Sequence, residues 1–304
     1  MSALKSTLEY MLFAGIAGLL RLLPLRGVRL FARWTATLVW YCVPVRKALT
    51  LMQLRSAFPD REDKEIRAIA RGSYHNLITT IFELMWTPRL DDEMLARIIT
   101  VRNPEVIERT MRRGSGAVFM SGHFGNWEWM SIGAARLLSV QMTVIVHSIH
   151  NRAVDDLVEA WRGHFGNRIV PMGVSIREII LALRNRGAVA LLADQSGPSG
   201  SLYVPFFGRP AATYEGPATF ALRMGAPVIM VFSLRREDGN YEIHAEEIPT
   251  HDLKGCSEEN VRELTRRHVR VLERIIREHP SHWLWQHKRW KHAPKHDNII
   301  IEDP

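Results

Sequence analysis

The alternation of short apolar runs with helical patterns between residues 116 and 195 limits the possible folds of this chain most strongly. The runs "GAVFMSG", "MTVIVHS" and "AVALLADQ" are typical of strands buried on both faces. Between them, "WEWMSIGAARLL" and "SIREIILALRNRG" have the periodicity of amphipathic helices. Buried strands alternating with helices favour a mostly parallel sheet covered by helices, with ligands at the carboxyl ends of the strands.

The flanking sequence extends this pattern. Helical spacing of apolar residues predicts a long or kinked amphipathic helix over residues 60–87, a polar helix over 152–164 and a capped amphipathic helix over 257–279. Two further strand-like runs, "APVIMVFSLRR" and "NYEIHAEEIP", flank an Asp-Gly pair, which predicts an antiparallel hairpin. We therefore expect an α/β fold with a mixed, mostly parallel central sheet flanked by helices.

The N-terminal region contains two apolar stretches, "YMLFAGIAGLL" and "LFARWTATLVWYCVPV". A membrane-spanning helix needs about 20 mostly apolar residues, and residues 4–23 form one marginal candidate. The Trp and Arg residues of the first 90 positions suit a membrane surface. We predict that residues 1–45 are an apolar helical segment that anchors the protein to a membrane, spanning it or lying in its plane. A buried helix and a cleaved signal peptide are the alternatives.

The charge balance points to an anionic partner. The chain of 304 residues carries 40 Lys and Arg against 32 Asp and Glu, a formal charge of +8. This excess fits a phosphate-bearing ligand, a nucleic acid or an anionic membrane, and does not choose among them. The two cysteines, Cys42 and Cys256, lie far apart, which excludes a disulfide framework and a CxxC metal motif.

The pentapeptide Gly-His-Phe-Gly-Asn occurs twice, at residues 122–126 and 163–167. The sequences around the two copies share nothing, so they are not a structural repeat. Histidine titrates near neutral pH and is the commonest proton-transfer residue, so either copy could contain a general base. The second histidine, His164, follows a predicted helix without a nearby orienting acid, and we expect it to contact helix-end carbonyls or solvent.

The first copy joins a predicted strand to a predicted helix, and Glu128 follows His123 by five residues. On one helix, two residues five apart point about 140° away from each other, so the pair can meet only if His123 precedes the helix. Gly125 permits a turn there and Asn126 is a good N-cap. We predict that Glu128 orients His123 and that His123 is a general base. The alternative is a hydrogen-bonded core histidine at a strand end.

The segment "SGHFGNWEW" resembles the His-x4-Asp/Glu signature of the glycerolipid and lysophospholipid acyltransferase superfamily, and more closely the late acyltransferases of lipid A biosynthesis. Three further blocks resemble that family in the same order: "HNRAVDDLVEAWR", "LLADQSGPSGSLYVPFFGRPAATYEGPATFALRMGAPVI" and "EHPSHWLWQHKRWK". The resemblance covers nearly the whole chain and implies an acyltransferase domain over residues 46–304. Ser196 and Glu215 depart from the family pattern, which leaves details of acceptor binding open.

The resemblance implies catalytic roles for His123 and Glu128, and substrate-binding roles for Arg162, Asp194 and Gln195. His123 would deprotonate an acceptor hydroxyl that attacks a thioester directly, without an acyl-enzyme and without a cofactor. Arg162 matches the functional arginine of the family, for a developing oxyanion or a substrate phosphate, and Asp194 would position it. A structural surface ion pair is the alternative for both residues.

The resemblance also implies the partners: an acyl-acyl carrier protein donor, a lipid A precursor or other glycolipid acceptor, and the bacterial inner membrane, with the catalytic domain on its cytoplasmic face. Another lipid, such as a lysophospholipid, an ornithine lipid or a phosphoinositide mannoside, is the alternative acceptor. A basic membrane-surface or nucleic-acid-binding protein would share the charge and leave the His123 and Glu128 arrangement unexplained. We therefore expect no nucleic acid partner.

The C-terminal segment "WLWQHKRWK" interleaves tryptophans with basic residues. The same residue types stack on bases in nucleic-acid proteins and form aromatic belts or head-group sites at membranes. The resemblance favours the lipid interpretation, with part of the segment packed in the protein. Histidine is frequent near this end of the chain, but no His or Cys spacing matches a zinc site, and we expect no bound metal. The histidines concerned are His279, His282, His287, His292 and His296.

Overall fold

The computed structural model describes residues 3–43, 45–137, 139–173 and 175–293. The helices are α1 (Ala3–Leu22), α2 (Leu25–Cys42), α3 (Lys47–Ala57), α4 (Asp63–Trp86), α5 (Asp92–Ile98), α6 (Pro104–Arg112), α7 (Trp127–Leu137), α8 (Arg152–Arg162), α9 (Ser175–Arg184), α10 (Gly216–Met224) and α11 (Glu258–Glu278). The strands are β1 (Ile99–Val101), β2 (Ala117–Ser121), β3 (Met142–Val146), β4 (Arg168–Pro171), β5 (Ala188–Leu192), β6 (Leu202–Phe206), β7 (Arg209–Thr213), β8 (Val228–Arg235) and β9 (Tyr241–Ile248).

Seven of the strands in the described ranges form one sheet in the order β1-β9-β8-β2-β5-β3-β4. All neighbouring pairs are parallel except the β8–β9 hairpin. This confirms the predicted α/β class with a mostly parallel sheet and an antiparallel pair. The long helix α4 and the capped helix α11 also match the predicted spans, and Ser257 caps α11 by accepting from Asn260 N.

The two faces of the sheet pack against different helices. On one face, α7 packs on β3 and β8, in a cluster that includes Phe119, Trp129 and Ile229. On the other face, α9, α10 and α11 pack on the sheet through a cluster that includes Met120, Val189 and Leu272. Alternate residues of the central strands therefore enter opposite halves of the core, as expected of a sheet covered on both sides.

The antiparallel β6–β7 hairpin was not predicted from the sequence. Its strands contain Pro205 and Pro210, which oppose each other in the register, and proline is usually a signal against strand structure. The hairpin forms a sheet of its own that packs against α11. Packing of the hairpin against α11 thus stabilises strand structure despite its two prolines.

The N-terminal region forms two helices that pack on the rest of the protein. The inner faces of α1 and α2 are buried, with Leu20, Val28 and Trp40 at most 3% exposed, and they contact α4 and α8. No helix among the described residues is both long and apolar enough to cross a membrane. The structure therefore does not support the prediction that residues 4–23 span a membrane. The apolar residues of this segment are divided between a buried inner face and an exposed outer face.

Candidate active site

The first Gly-His-Phe-Gly-Asn copy lies at the carboxyl end of β2, next to the end of β5. The two strands are parallel neighbours, with Ser121 opposite Leu192, so the residues that follow them meet at the same edge of the sheet. Gly122 allows a close approach there, because an added Cβ atom would lie 3.1 Å from the Asp194 carboxylate. The sheet thereby places Asp194 directly beside His123.

Asp194, rather than Glu128, holds the imidazole of His123. The Asp194 carboxylate receives three hydrogen bonds: Oδ1 lies 2.8 Å from His123 Nδ1, and Oδ2 accepts from His123 N and from Trp283 Nε1, both at 2.8 Å. A carboxylate can only accept, so His123 Nδ1 carries a proton and Nε2 is the unprotonated nitrogen of the neutral ring. This is the orienting acid and base arrangement of a catalytic dyad.

The electrostatics of this pair favour charge on both partners. Burial alone would raise the pKa of Asp194, but the imidazole of His123 and the hydrogen bonds from His123 and Trp283 lower it to about 2. Burial alone would lower the pKa of His123, but the Asp194 carboxylate outweighs burial and the pKa is raised. The imidazolium that forms during proton transfer is therefore stabilised in this site.

Glu128 forms an ion pair with Arg162 instead of the expected contact with His123. Arg162 Nε and Nη2 donate to the two carboxylate oxygens at 2.8 and 2.7 Å, in the bidentate geometry typical of strong Arg–carboxylate pairs. The predicted Glu128–His123 contact is wrong because Glu128, in the first turn of α7, faces the end of α8. Its charge still acts on His123 by raising the pKa of that imidazole.

Arg162 is a buried, incompletely bonded cation. Its side chain is 17% exposed, and within the described residues its Nη1 atom has no hydrogen-bond partner. Burial alone would lower the pKa of Arg162, but Glu128 keeps it raised, so the guanidinium stays charged. The surface ion-pair alternative is therefore wrong for Arg162 and for Asp194, which is 2% exposed.

A cavity of about 590 Å³ opens at these side chains. Its polar end contains His123, Glu128, Arg162 and Gln195. Ser121, Ser131, His147 and Tyr214 also line the cavity, and most of the remaining lining residues are apolar and come from both faces of the sheet. They include Phe119, Met120, Met130, Ala134, Met142, Val144, Ile145, Ile179, Ala190, Leu191, Phe220 and Val231. A deep apolar pocket with a few convergent polar groups is typical of a site for an aliphatic ligand.

Gln195 lies at the polar end of this cavity, with Nε2 at 3.4 Å from His123 Nε2. The loop that contains Gln195 is clamped by the C-terminal segment. His287 Nε2 accepts from Ser196 N, and Arg289 Nη1 donates to the carbonyls of Gln195 and Ala212. The C-terminal segment therefore supports the site from behind.

The tryptophans of that segment are core residues. Trp283 and Trp285 are at most 1% exposed, Trp290 is 9% exposed, and Arg289 is completely buried. The proposed membrane belt, head-group site or base-stacking surface is therefore wrong for these indoles and for this arginine. Burial lowers the pKa of Arg289 to about 10, and its guanidinium donates to backbone carbonyls and to Thr213 Oγ1.

The C-terminal histidines make separate structural contacts. His287 contacts Ser196 as above, His292 Nδ1 bonds the Gly197 carbonyl, and the rings of His279 and His282 contact each other edge-on. His296 lies outside the described residues. Within the described part of the chain, no group of three or more His, Cys, Asp or Glu side chains is placed to hold a metal ion.

Sequence reasoning placed all five candidate residues at one site but assigned the two carboxylates differently. The signal for Asp194 was available, since an acid directly after a buried parallel strand lies at the ligand-binding edge of the sheet. Trp283, 89 residues from Asp194 in sequence, carried no local signal for its hydrogen bond. His164 is exposed at the end of α8, as expected.

The chain matches the family described as bacterial lipid A biosynthesis acyltransferase over residues 2–292. It is 23% identical over 257 residues to the lipid A biosynthesis palmitoleoyltransferase of Escherichia coli (strain K12), and 22% identical over 255 residues to the lipid A biosynthesis lauroyltransferase of the same organism. Both alignments cover 82% of this chain and 80% of the relative. The chain is therefore an acyltransferase that belongs to the bacterial lipid A biosynthesis acyltransferase family.

Proposed function

We propose that this protein transfers a fatty acyl chain from an acyl-acyl carrier protein thioester to a hydroxyl group of a lipid A precursor. The observation that carries the proposal is the placement of the His123–Asp194 dyad and Arg162 at a largely apolar cavity of about 590 Å³. Family membership and the names of the relatives support lipid A as the acceptor class, and the family resemblance supports the carrier-protein donor.

In this mechanism His123 Nε2 takes the proton from the acceptor hydroxyl, and Asp194 stabilises the imidazolium. The hydroxyl oxygen attacks the thioester carbonyl carbon and forms the new C–O bond. The tetrahedral intermediate then collapses, the C–S bond breaks, and the imidazolium returns its proton to the leaving thiolate. The products are the acylated lipid and free carrier thiol, and no acyl-enzyme forms.

Arg162 is the proposed cation for the negative charge that develops on the carbonyl oxygen, or for a phosphate of the acceptor. Glu128 holds two of its nitrogens, and Nη1 has no hydrogen-bond partner among the described residues. The Arg162 side chain also lines the cavity. Donors that are already oriented toward a developing charge contribute strongly in a buried site. The role of Glu128 is then to position Arg162. Gln195, beside His123 Nε2, is the proposed contact for the acceptor.

The outer faces of α1 and α2 are the proposed membrane surface. They expose an apolar row at helical spacing, which includes Leu8, Leu12 and Leu19 on α1 and Phe31, Trp34 and Leu38 on α2. Large contiguous apolar patches usually mark an interaction site, and an exposed apolar helix face can lie in the membrane interface. Because α1 packs on α8, which carries Arg162, this surface flanks the cavity. It supports placement at a membrane surface, and the family resemblance is the basis for proposing the cytoplasmic face of the inner membrane.

The test of the proposed reaction is an assay with purified protein, acyl carrier protein loaded with fatty acids of several lengths, and a lipid A precursor, with products identified by mass spectrometry. We expect one acyl chain to be added to the precursor. A lysophospholipid, an ornithine lipid and a phosphoinositide mannoside serve as competing acceptors. Preferential acylation of any of these, or no acylation of the precursor, would contradict the proposal.

The membrane surface is tested by flotation with vesicles that contain anionic lipid. We expect Trp34→Glu and Leu38→Glu together to release the protein from vesicles, because each places a charge on the exposed helix face that is proposed to insert into the membrane interface. Leu181→Glu is the matched control, since Leu181 is an exposed leucine on α9, away from this surface. Equal flotation of the double variant and the control would refute the assignment.

A further inference from the structure

Helix α4 carries a row of buried polar side chains behind the catalytic turn. Asn76, Thr80 and Glu83 are spaced by four and three residues, which places them on one face of the helix. They are 6%, 0% and 0% exposed. Buried polar groups destabilise a fold unless they are hydrogen-bonded, so a row of three on one helix face calls for specific partners.

The partners of this row are the residues that follow His123. Asn76 Nδ2 and Thr80 Oγ1 both donate to the carbonyl of Gly125 at 3.0 Å. Asn126 Nδ2 donates to Glu83 Oε2 at 2.8 Å. The turn between β2 and α7 is thus attached to α4 at two successive residues.

Glu83 is held in place by cations on two other elements. Arg29 Nε of α2 donates to Glu83 Oε1 at 2.7 Å, and Arg235 of β8 donates to Oε2 at 3.3 Å. The Tyr241 hydroxyl also donates to Oε2. Burial raises the pKa of Tyr241 well above its usual value, so that hydroxyl keeps its proton and remains a donor. The carboxylate of Glu83 is therefore a fixed acceptor.

A fixed acceptor determines which way the Asn126 amide points. Because Glu83 can only accept, it binds the amide nitrogen, and the amide oxygen Oδ1 is left to accept from Trp129 N at 2.8 Å. That second bond is the N-cap of α7. His123 lies three residues before this junction and Glu128 two residues after it.

We propose that Glu83 is a positioning residue for the reaction: through Asn126 it sets the geometry of the turn that carries His123 and the start of the helix that carries Glu128. The inference rests on the proposed function, since it assigns the role of this network in that reaction. It concerns the kcat of the folded enzyme, because none of the network residues lines the cavity.

The test reverses the hydrogen bond between Asn126 and Glu83. Asn126→Asp keeps a good N-cap but places two carboxylates against each other. We expect kcat to fall about 100-fold, as for a small misplacement of catalytic groups, with KM changed less than about threefold. The exchange Glu83→Gln with Asn126→Asp restores a donor to face an acceptor, and Tyr241, which lies 3.5 Å from Asn126 Nδ2, can donate to the new carboxylate. Arg235 Nη1, which also lies 3.4 Å from Glu83 Oε1, keeps an acceptor in the remaining amide oxygen. We expect this pair to recover kcat to within about tenfold of the native enzyme.

Thr79 and Thr80 allow a comparison of two variants that each remove one hydroxyl group, a smaller change that keeps the protein folded. Thr80→Val removes one of two donors to Gly125, whereas Thr79, equally buried, bonds only the His75 carbonyl of its own helix. We expect Thr80→Val to lower kcat about fivefold and Thr79→Val to leave it within twofold, in line with the net value of one hydrogen bond. Equal kcat values for the two variants would contradict a role of α4 in positioning the turn that carries His123.

A second readout separates this inference from the proposed function. The imidazole NMR signal of His123, assigned by its absence in His123→Ala, is expected to shift in Asn126→Asp and to return in the exchanged pair. If the native enzyme acylates no lipid, the proposed function fails while this signal still tests the positioning. An unchanged signal in Asn126→Asp, or a folded exchanged pair without recovery of the signal, would refute the role of Glu83.

Discussion

The two copies of Gly-His-Phe-Gly-Asn adopt different structures in the same molecule. In residues 122–126, His123 is 19% exposed and bonded to Asp194, and the asparagine caps α7 while it bonds Glu83. In residues 163–167, His164 is exposed and contacts the ring of Phe165 edge-on. The second asparagine donates to the Ser131 carbonyl. Five identical residues therefore form one turn at the candidate active site and one helix end.

The difference comes from the elements that surround each copy. The first copy follows a central strand and lies between α4, β5 and the C-terminal segment, which provide a partner for almost every polar atom of the turn. The second follows α8 and leads to β4, the last strand of the sheet order. The same short motif can therefore take part in proton transfer only where it lies at the carboxyl edge of the sheet.

The histidines should differ most in their effect on catalysis. We expect His123→Ala to lower kcat/KM by about 10³-fold or more, because it removes the proposed general base. His164→Ala should stay within about twofold of the native rate, since its side chain lies outside the cavity. Steady-state kinetics with a thioester donor measure both. A loss of activity in His164→Ala with an active His123→Ala would reverse the assignment.

The glycines at the fourth position of each copy should differ in their effect on stability. Both have positive φ, +57° for Gly125 and +89° for Gly166, so alanine is strained at either site by about 1 to 2 kcal/mol. At Gly125 an added Cβ would also lie 1.6 Å from the Ser233 carbonyl oxygen, whereas at Gly166 nothing lies within 4 Å. We expect Gly125→Ala to lower the free energy of unfolding by at least about 3 kcal/mol more than Gly166→Ala.

Urea unfolding of the two alanine variants, followed by circular dichroism, measures this difference. The clash at Gly125 involves backbone of β8, which cannot move without disturbing the hairpin with β9. Similar midpoints for the two variants would mean that the turn after β2 is less constrained than its contacts indicate.

The fold was predictable where a strand or helix is determined by its own residues. The runs around β2, β3 and β5 are mostly apolar segments bounded by polar residues or glycine, with Thr143 inside β3, and each forms a strand. The division of the N-terminal apolar residues was not predictable in the same way. Leu20 is buried and Leu19 is exposed, which depends on where α4 and α8 lie, and no local pattern of leucines contains that information.

The site was predictable as a set of residues but not as a set of contacts. His123, Glu128, Arg162, Asp194 and Gln195 all line or adjoin the polar end of the cavity. Which carboxylate faces His123 depends on the order of strands, because β5 lies beside β2 and brings Asp194 with it. A spacing of five residues suggested Glu128 instead. Glu83 and Asn76 were read only as part of an amphipathic helix, since their partners are more than 40 residues away.

The smallest expected effect is a shift in the pH dependence of kcat/KM that distinguishes the two carboxylates near the first copy, Asp194 and Glu128. Asp194 raises the pKa of His123 more than Glu128 does, and burial opposes both. A general base must be unprotonated, so the acidic limb of the kcat/KM profile reports the pKa of His123 in the free enzyme. Without Asp194, burial dominates and this pKa falls. We therefore expect Asp194→Asn to move the acidic limb to lower pH, with a rate loss of about 100-fold at the optimum.

Glu128→Gln is the matched variant, because it also removes one negative charge near His123 while leaving the imidazole bond to Asp194 intact. We expect a shift of the acidic limb in the same direction but smaller. Glu128→Gln also removes the negative charge that pairs with Arg162, so we expect the rate to fall while the acidic limb of the kcat/KM profile moves only slightly. If Glu128→Gln moved the limb further than Asp194→Asn, the orienting acid would be Glu128, as its spacing from His123 first suggested, and the contact between β2 and β5 would have another role.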